Sequence, residues 1–79
     1  MLTVRYFAAA RAAAGTTEEK AQAQTLHALV TDLSAQHGEG LARILGVASF
    51  LVDGLAWRDR HAPLPDSATV DVLPPFAGG

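Results

Sequence analysis

The apolar residues of this chain change their spacing along its length, and that change decides which folds are open to it. Leu2, Val4 and Tyr6 recur at every second position, with Thr3, Arg5 and Phe7 between them. This is the period of a strand with one apolar face. From Leu26 the spacing lengthens: Leu26, Leu29, Val30 and Leu33 stand at i, i+3, i+4 and i+7, the stripe of an amphipathic helix. Thr25 is a suitable N-cap for that helix, which is predicted to end near His37-Gly38. Thr69, Val70, Asp71, Val72 and Leu73 then read as a closing strand, stopped by Pro74-Pro75 because proline has no N–H to give to a ladder.

The segments between complete an order. Ala8 to Ala14 is alanine-rich, with Arg11 in its middle and Gly15 at its end, and suits a short helical turn closed by a residue that tolerates positive φ. Residues Thr16 to Ala23 alternate weakly, with Glu19 opposed to Lys20 and with Ala21 and Ala23 on one side, and are expected to form a second, partly exposed strand. Leu41, Ile44 and Leu45 suggest a further helical turn before Gly46. Ser49 to Val52 and Leu55-Ala56-Trp57 flank Asp53-Gly54, the pattern of a hairpin whose turn takes its positive φ angles from Asp-Gly. Arg58 to His61, Pro63, Pro65 and Asp66-Ser67 are loop chemistry. Strand, short turn, strand, long helix, strand pair, strand is an α+β order, that of the ubiquitin-like β-grasp fold: a mixed sheet with one main helix packed on one face and an extended C-terminal tail. Residues 1–74 are expected to form the β-grasp domain and residues 75–79 a flexible Gly-Gly tail.

Composition narrows the function. At 79 residues a chain buries only about 60% of the surface that it exposes when unfolded, so a deep catalytic cleft is not expected. There is no cysteine, which excludes disulfides, thiolate metal sites and thiol nucleophiles. The net charge of −2 argues against a nucleic-acid partner, which would call for a cationic surface. No apolar run approaches the roughly 20 residues that cross a bilayer, and no signal peptide is read at Met1, so a cytoplasmic home without a membrane partner is expected. His27, His37 and His61 are far apart in sequence with no ligand spacing, so no metal site is expected.

The chemistry is carried by the last six residues, Pro74-Pro75-Phe76-Ala77-Gly78-Gly79. Two glycines without side chains make a thread slender enough for a narrow tunnel, while Pro74-Pro75 stiffens its root. Six residues at about 3.3 to 3.6 Å each carry the terminal carboxylate roughly 20 Å from the domain, far enough to enter another protein's active site.

The opening strand ending Tyr6-Phe7-Ala8, the Arg11 and Gly15 that follow, the Val52-Asp53-Gly54 turn and above all these last six residues resemble the small subunits of molybdopterin synthase. These belong to the ubiquitin-like sulfur carriers, which also include the thiamine-pathway carrier. The family pattern of Pro-Pro, two variable residues and Gly-Gly is matched throughout, and its Pro-Pro favours the molybdopterin branch. The resemblance implies that an ATP-dependent adenylyltransferase and sulfurtransferase adenylates the Gly79 carboxylate. Sulfur then replaces the adenylate to give a thiocarboxylate. The tail, with Gly78 and Gly79 leading, enters the large subunit of molybdopterin synthase, where sulfur passes to a cyclic pterin phosphate. On this reading the active site belongs to the partner, no cofactor is permanently bound, and ATP is used by the activating partner. A carrier for thiamine or cysteine synthesis and a ubiquitin-like protein modifier are the alternatives, since both use an activated Gly-Gly carboxylate.

Parity on the strands separates two residues from the core. With Leu2, Val4 and Tyr6 inward, Phe7 faces outward beside Arg5; with Val70 and Val72 inward, Leu73 faces outward beside Asp71. Either they form a docking patch near the tail, or the strands end early and both residues turn inward. The resemblance implies the patch, with Arg11, Leu55, Pro75, Phe76 and Ala77 as further contacts. Arg11 either meets an acidic group on a partner or is a solvated helical arginine, and Trp57 is either core or interface. The chain departs from the family at Pro65-Asp66-Ser67-Ala68, where Asp-Gly and acidic residues are usual, and in a longer Arg58 to His61 segment. Both bear on the choice of partner and neither on the tail.

Overall fold

The computed structural model describes residues 1–75; the expected tail residues Phe76, Ala77, Gly78 and Gly79 lie outside the described residues. The elements run β1 (Leu2–Tyr6), α1 (Ala9–Ala14), β2 (Glu18–Ala21), α2 (Leu26–His37), α3 (Glu39–Val47), β3 (Ser49–Val52), β4 (Leu55–Ala56) and β5 (Thr69–Leu73). The strands lie in the order β2-β1-β5-β3-β4. β1 and β5 are parallel, and every other pair is antiparallel. A parallel pair cannot be closed by a tight turn, so the whole helical part of the chain acts as the crossover between β1 and β5. This is the expected α+β, ubiquitin-like β-grasp.

One face of the sheet makes the core. Leu2, Val4 and Tyr6 of β1, Val70 and Val72 of β5, and Phe50 and Val52 of β3 are all buried, and they meet Leu26, Leu29 and Leu33 of α2 and Leu41 and Leu45 of α3. α2 starts where the sequence places it: Thr25 is extended and its hydroxyl accepts from the Ala28 N–H at 3.1 Å. α1 closes on Gly15 in the left-handed region, whose N–H reaches the Arg11 carbonyl. The hairpin turn has φ 49° at Asp53 and 84° at Gly54, the two positive angles that Asp-Gly accommodates. The Asp53 carboxylate also accepts from the Thr69 N–H at 2.9 Å, fixing the hairpin to the start of β5.

Two elements differ from expectation. The turn foreseen before Gly46 is a nine-residue helix that runs through it to Val47. Leu41 and Leu45, four apart on one helix face, are fully buried; that burial outweighs the roughly 1 kcal/mol that a helical glycine costs. The main helix α2 thus has α3 packed beside it. β2 is shorter than Thr16 to Ala23, with four residues in the ladder. Its Glu19, paired with Val4, turns toward the helices. There the Glu19 carboxylate accepts from Tyr6 Oη at 2.8 Å and Gln36 Nε2 at 3.1 Å and meets His37 Nε2 at 2.6 Å. This polar cluster ties an edge strand to the end of α2. No helix among the described residues is long and apolar enough to cross a membrane.

Candidate functional site

The helices cover one face of the sheet and leave the other open, and strand register dictates what the open face carries. Residues directly opposite on paired strands share a side. Glu18 pairs with Arg5, Arg5 with Asp71, Asp71 with Leu51 and Leu51 with Ala56. These form one row across all five strands. One step toward the end of β5 lie Leu73, its partner Ser49 and, just beyond β1, Phe7.

Asp71 is the centre of that row. It is only 7% exposed although it faces away from the core. A buried carboxylate needs a partner, and Arg5 supplies one with both ends of its fork: Nε to Oδ1 at 2.6 Å and Nη2 to Oδ2 at 3.0 Å. The Arg5 guanidinium carbon also stands 5.5 Å from the centre of the Phe7 ring. Hydrogen bonding to Asp71, then its charge, raises the Arg5 pKa above its ordinary value.

Phe7 and Leu73 are half-buried and belong neither to the core nor to the apolar residues packed against it. They flank the point where the chain leaves β5 through half-buried Pro74 and exposed Pro75. Arg11 is exposed on α1, at the same end of the sheet, and its Nε lies 3.4 Å from the Tyr6 carbonyl. Leu55 is 67% exposed, but its pairing with buried Val52 puts it on the helix side of the edge strand, apart from Phe7 and Leu73. Trp57 packs against the core. Phe76, Ala77, Gly78 and Gly79 lie outside the described residues.

Leu51 and the Arg5–Asp71 pair escaped the sequence reading, in which Arg5 and Asp71 face outward on their own strands but are not joined. Leu51 follows Phe50 in an apolar run that hides parity, and an Arg-Asp pair 66 positions apart has no local signal. The structure also brings the His27 and His61 rings to 4.9 Å between centres. No group of three or more His, Cys, Asp and Glu among the described residues is placed to hold a metal ion. A surface groove of about 530 Å³, lined by Met1, Gln24, Pro65 and Asp66 among others, lies at the end of the sheet opposite Leu73.

The arrangement is an open sheet face on which half-buried Phe7, Leu51 and Leu73 lie beside the point where the chain leaves β5. Comparisons with known proteins bear on the family and the fold. The model of the ThiS family matches residues 4–79. No curated protein gives a significant match. Among solved structures, a chain of the complex of subunits 1 and 2 of molybdopterin-converting factor from Helicobacter pylori is 28% identical, with 99% of this chain and 97% of that chain covered and a TM-score of 0.72. The small archaeal modifier protein 1 of Methanosarcina acetivorans is 22% identical over 99% of this chain and 95% of that one, with a TM-score of 0.81. CysO of Mycobacterium tuberculosis is 21% identical over 94% and 98%, with a TM-score of 0.78. The last two likenesses are of fold.

Proposed function

The chain belongs to the ThiS family of ubiquitin-like sulfur carriers, and within that family we propose that it is the sulfur-donating small subunit of a molybdopterin synthase. The observation that carries the choice is the likeness, over nearly the whole chain, to a chain of the Helicobacter pylori converting-factor complex. The Pro74-Pro75 root, directly after β5, supports the same branch.

The working group is the Gly79 carboxylate. A carboxylate is a poor electrophile, so one of its oxygens first attacks the α-phosphorus of ATP on an activating enzyme, releasing pyrophosphate and leaving an acyl adenylate. A persulfide sulfur of a donor protein attacks the acyl carbon and expels AMP. Reductive cleavage of the resulting S–S bond by a thiol leaves the thiocarboxylate. In the large subunit this sulfur attacks a carbon of a cyclic pterin phosphate and displaces an oxygen leaving group from it. Water then cleaves the acyl–sulfur bond, leaving the sulfur on the pterin and returning the Gly79 carboxylate. The open face, through Phe7, Leu73 and Leu51, holds the domain on each partner while Pro75, Phe76, Ala77 and Gly78 lead Gly79 into the partner's site. Arg11 stands at the same end and contacts the partner's rim. Leu55 meets partners only where they wrap around the β4 edge.

The test is reconstitution with the organism's large subunit and activating enzyme. Mass spectrometry of the activated chain is expected to show sulfur in place of one C-terminal oxygen, and deletion of Gly79 to abolish sulfur transfer. Conjugates on lysines of other proteins without a thiocarboxylate would make the chain a modifier instead. Full activity of the truncated chain would end the reading altogether.

A further inference from the structure

We propose that Arg5 is the polar anchor of the open face and that it fits a protein partner presenting a neutral main-chain carbonyl, not a carboxylate, opposite it; this rests on reading that face as the docking surface for the activating enzyme. A guanidinium has five N–H groups. In Arg5, Nε and one Nη2 hydrogen are held by Asp71. Nη1 has no acceptor among the described residues, and the side chain is 48% exposed. Its position is nevertheless fixed, by the two bonds to Asp71 on one side and by the Phe7 ring on the other. An arginine already immobilised in the free protein loses little rotamer freedom on docking, which is what makes such a residue a strong anchor.

The surroundings specify what it meets. Phe7, Leu51 and Leu73 surround Arg5 and Asp71 on the open face, so a partner lying flat on them excludes water from Nη1. The buried donor must then find an acceptor or go unsatisfied. Charge selects the acceptor. Asp71 already balances the guanidinium, and Glu18 lies opposite Arg5 in the ladder and adds a second negative charge to its field. A third carboxylate would meet two of its own sign, whereas a backbone carbonyl accepts the hydrogen bond without charge. Recognition at this point depends on the position of a donor and only weakly on net charge.

The test uses the full chain with its own ATP-dependent activating enzyme and follows carrier-dependent pyrophosphate exchange. Arg5→Lys keeps the charge but loses the fork, and Arg5→Met loses both. Each is expected to raise the KM for this chain about tenfold or more, with kcat within about twofold. Because Arg5→Met alone strands a buried carboxylate, the Arg5→Met, Asp71→Leu double variant is measured beside it; an apolar pair in place of an ion pair folds, and its KM is expected to stay high. The factor by which the double variant raises KM is expected to change less than about threefold between about 50 and about 300 mM NaCl. An unchanged KM in the double variant overturns the anchor, and a factor that collapses as salt rises overturns the neutral acceptor. If the native chain supports no exchange at all, the docking reading itself falls and the anchor falls with it.

Discussion

Single residues divide this domain's polar chemistry between its two faces. On the helix side, the Tyr6 hydroxyl is held at 2.8 Å from Glu19 beneath α2. Burial, then the hydrogen bond to Glu19 and its charge, push the Tyr6 pKa far up. The sign follows directly: the folded state keeps this proton when the unfolded chain would release it near about pH 10, so the contribution is whole below that pH and is lost as pH rises above it. Tyr6 is the single tyrosine, so phenolate absorbance reports it alone. Native protein is expected to show no phenolate until it unfolds in alkali, and Tyr6→Phe to flatten the alkaline fall in stability. On the open face, Phe7→Ala and Leu73→Ala are expected to weaken complex formation by at least about 1.4 kcal/mol, a factor of ten, and to lower folding stability by less. Titration calorimetry against thermal melts separates the two. A larger loss in the melts would assign both residues to the core.

At the level of elements, local chemistry and burial share control. Thr25→Ala removes the oxygen that accepts the Ala28 N–H and is expected to cost about 1 kcal/mol in urea unfolding. Gly46→Ala is expected to act oppositely: the residue lies inside α3, and a Cβ there meets nothing within 4 Å, so stability should rise by about 0.5 to 1 kcal/mol. These two positions show why some of the fold was legible and some was not. A cap, an Asp-Gly turn, a Pro-Pro stop and a two- or three-and-a-half-residue period are written within a few neighbours, and β1, α2, the hairpin and β5 stand where those signals put them. α3 has glycines at both ends of its apolar stretch, and only contact with α2 and the sheet makes it a helix. The open face was half legible for the same reason. Parity gave Phe7 and Leu73, but the row from Glu18 to Ala56 exists only once β1 pairs with β5. Leu55 shows the limit of exposure as a guide, because it is uncovered yet lies on the other side of the sheet.

Over the whole molecule, the core of the described residues and the tail proposed to carry sulfur occupy separate stretches of chain. All core residues among the described ones fall between Leu2 and Val72. Deleting Gly78 and Gly79 is therefore expected to leave the thermal midpoint where it is, read by circular dichroism, even as sulfur transfer disappears. The parallel pairing of β1 with β5 at the centre of the sheet has a mechanical meaning as well. If a partner grips the domain through β1 and draws the tail away along its own tunnel, the pull runs lengthwise through β5. The hydrogen bonds between the two strands are then loaded together, in shear, and none can be peeled ahead of the others. A terminus can be tugged hard without opening the domain that carries it.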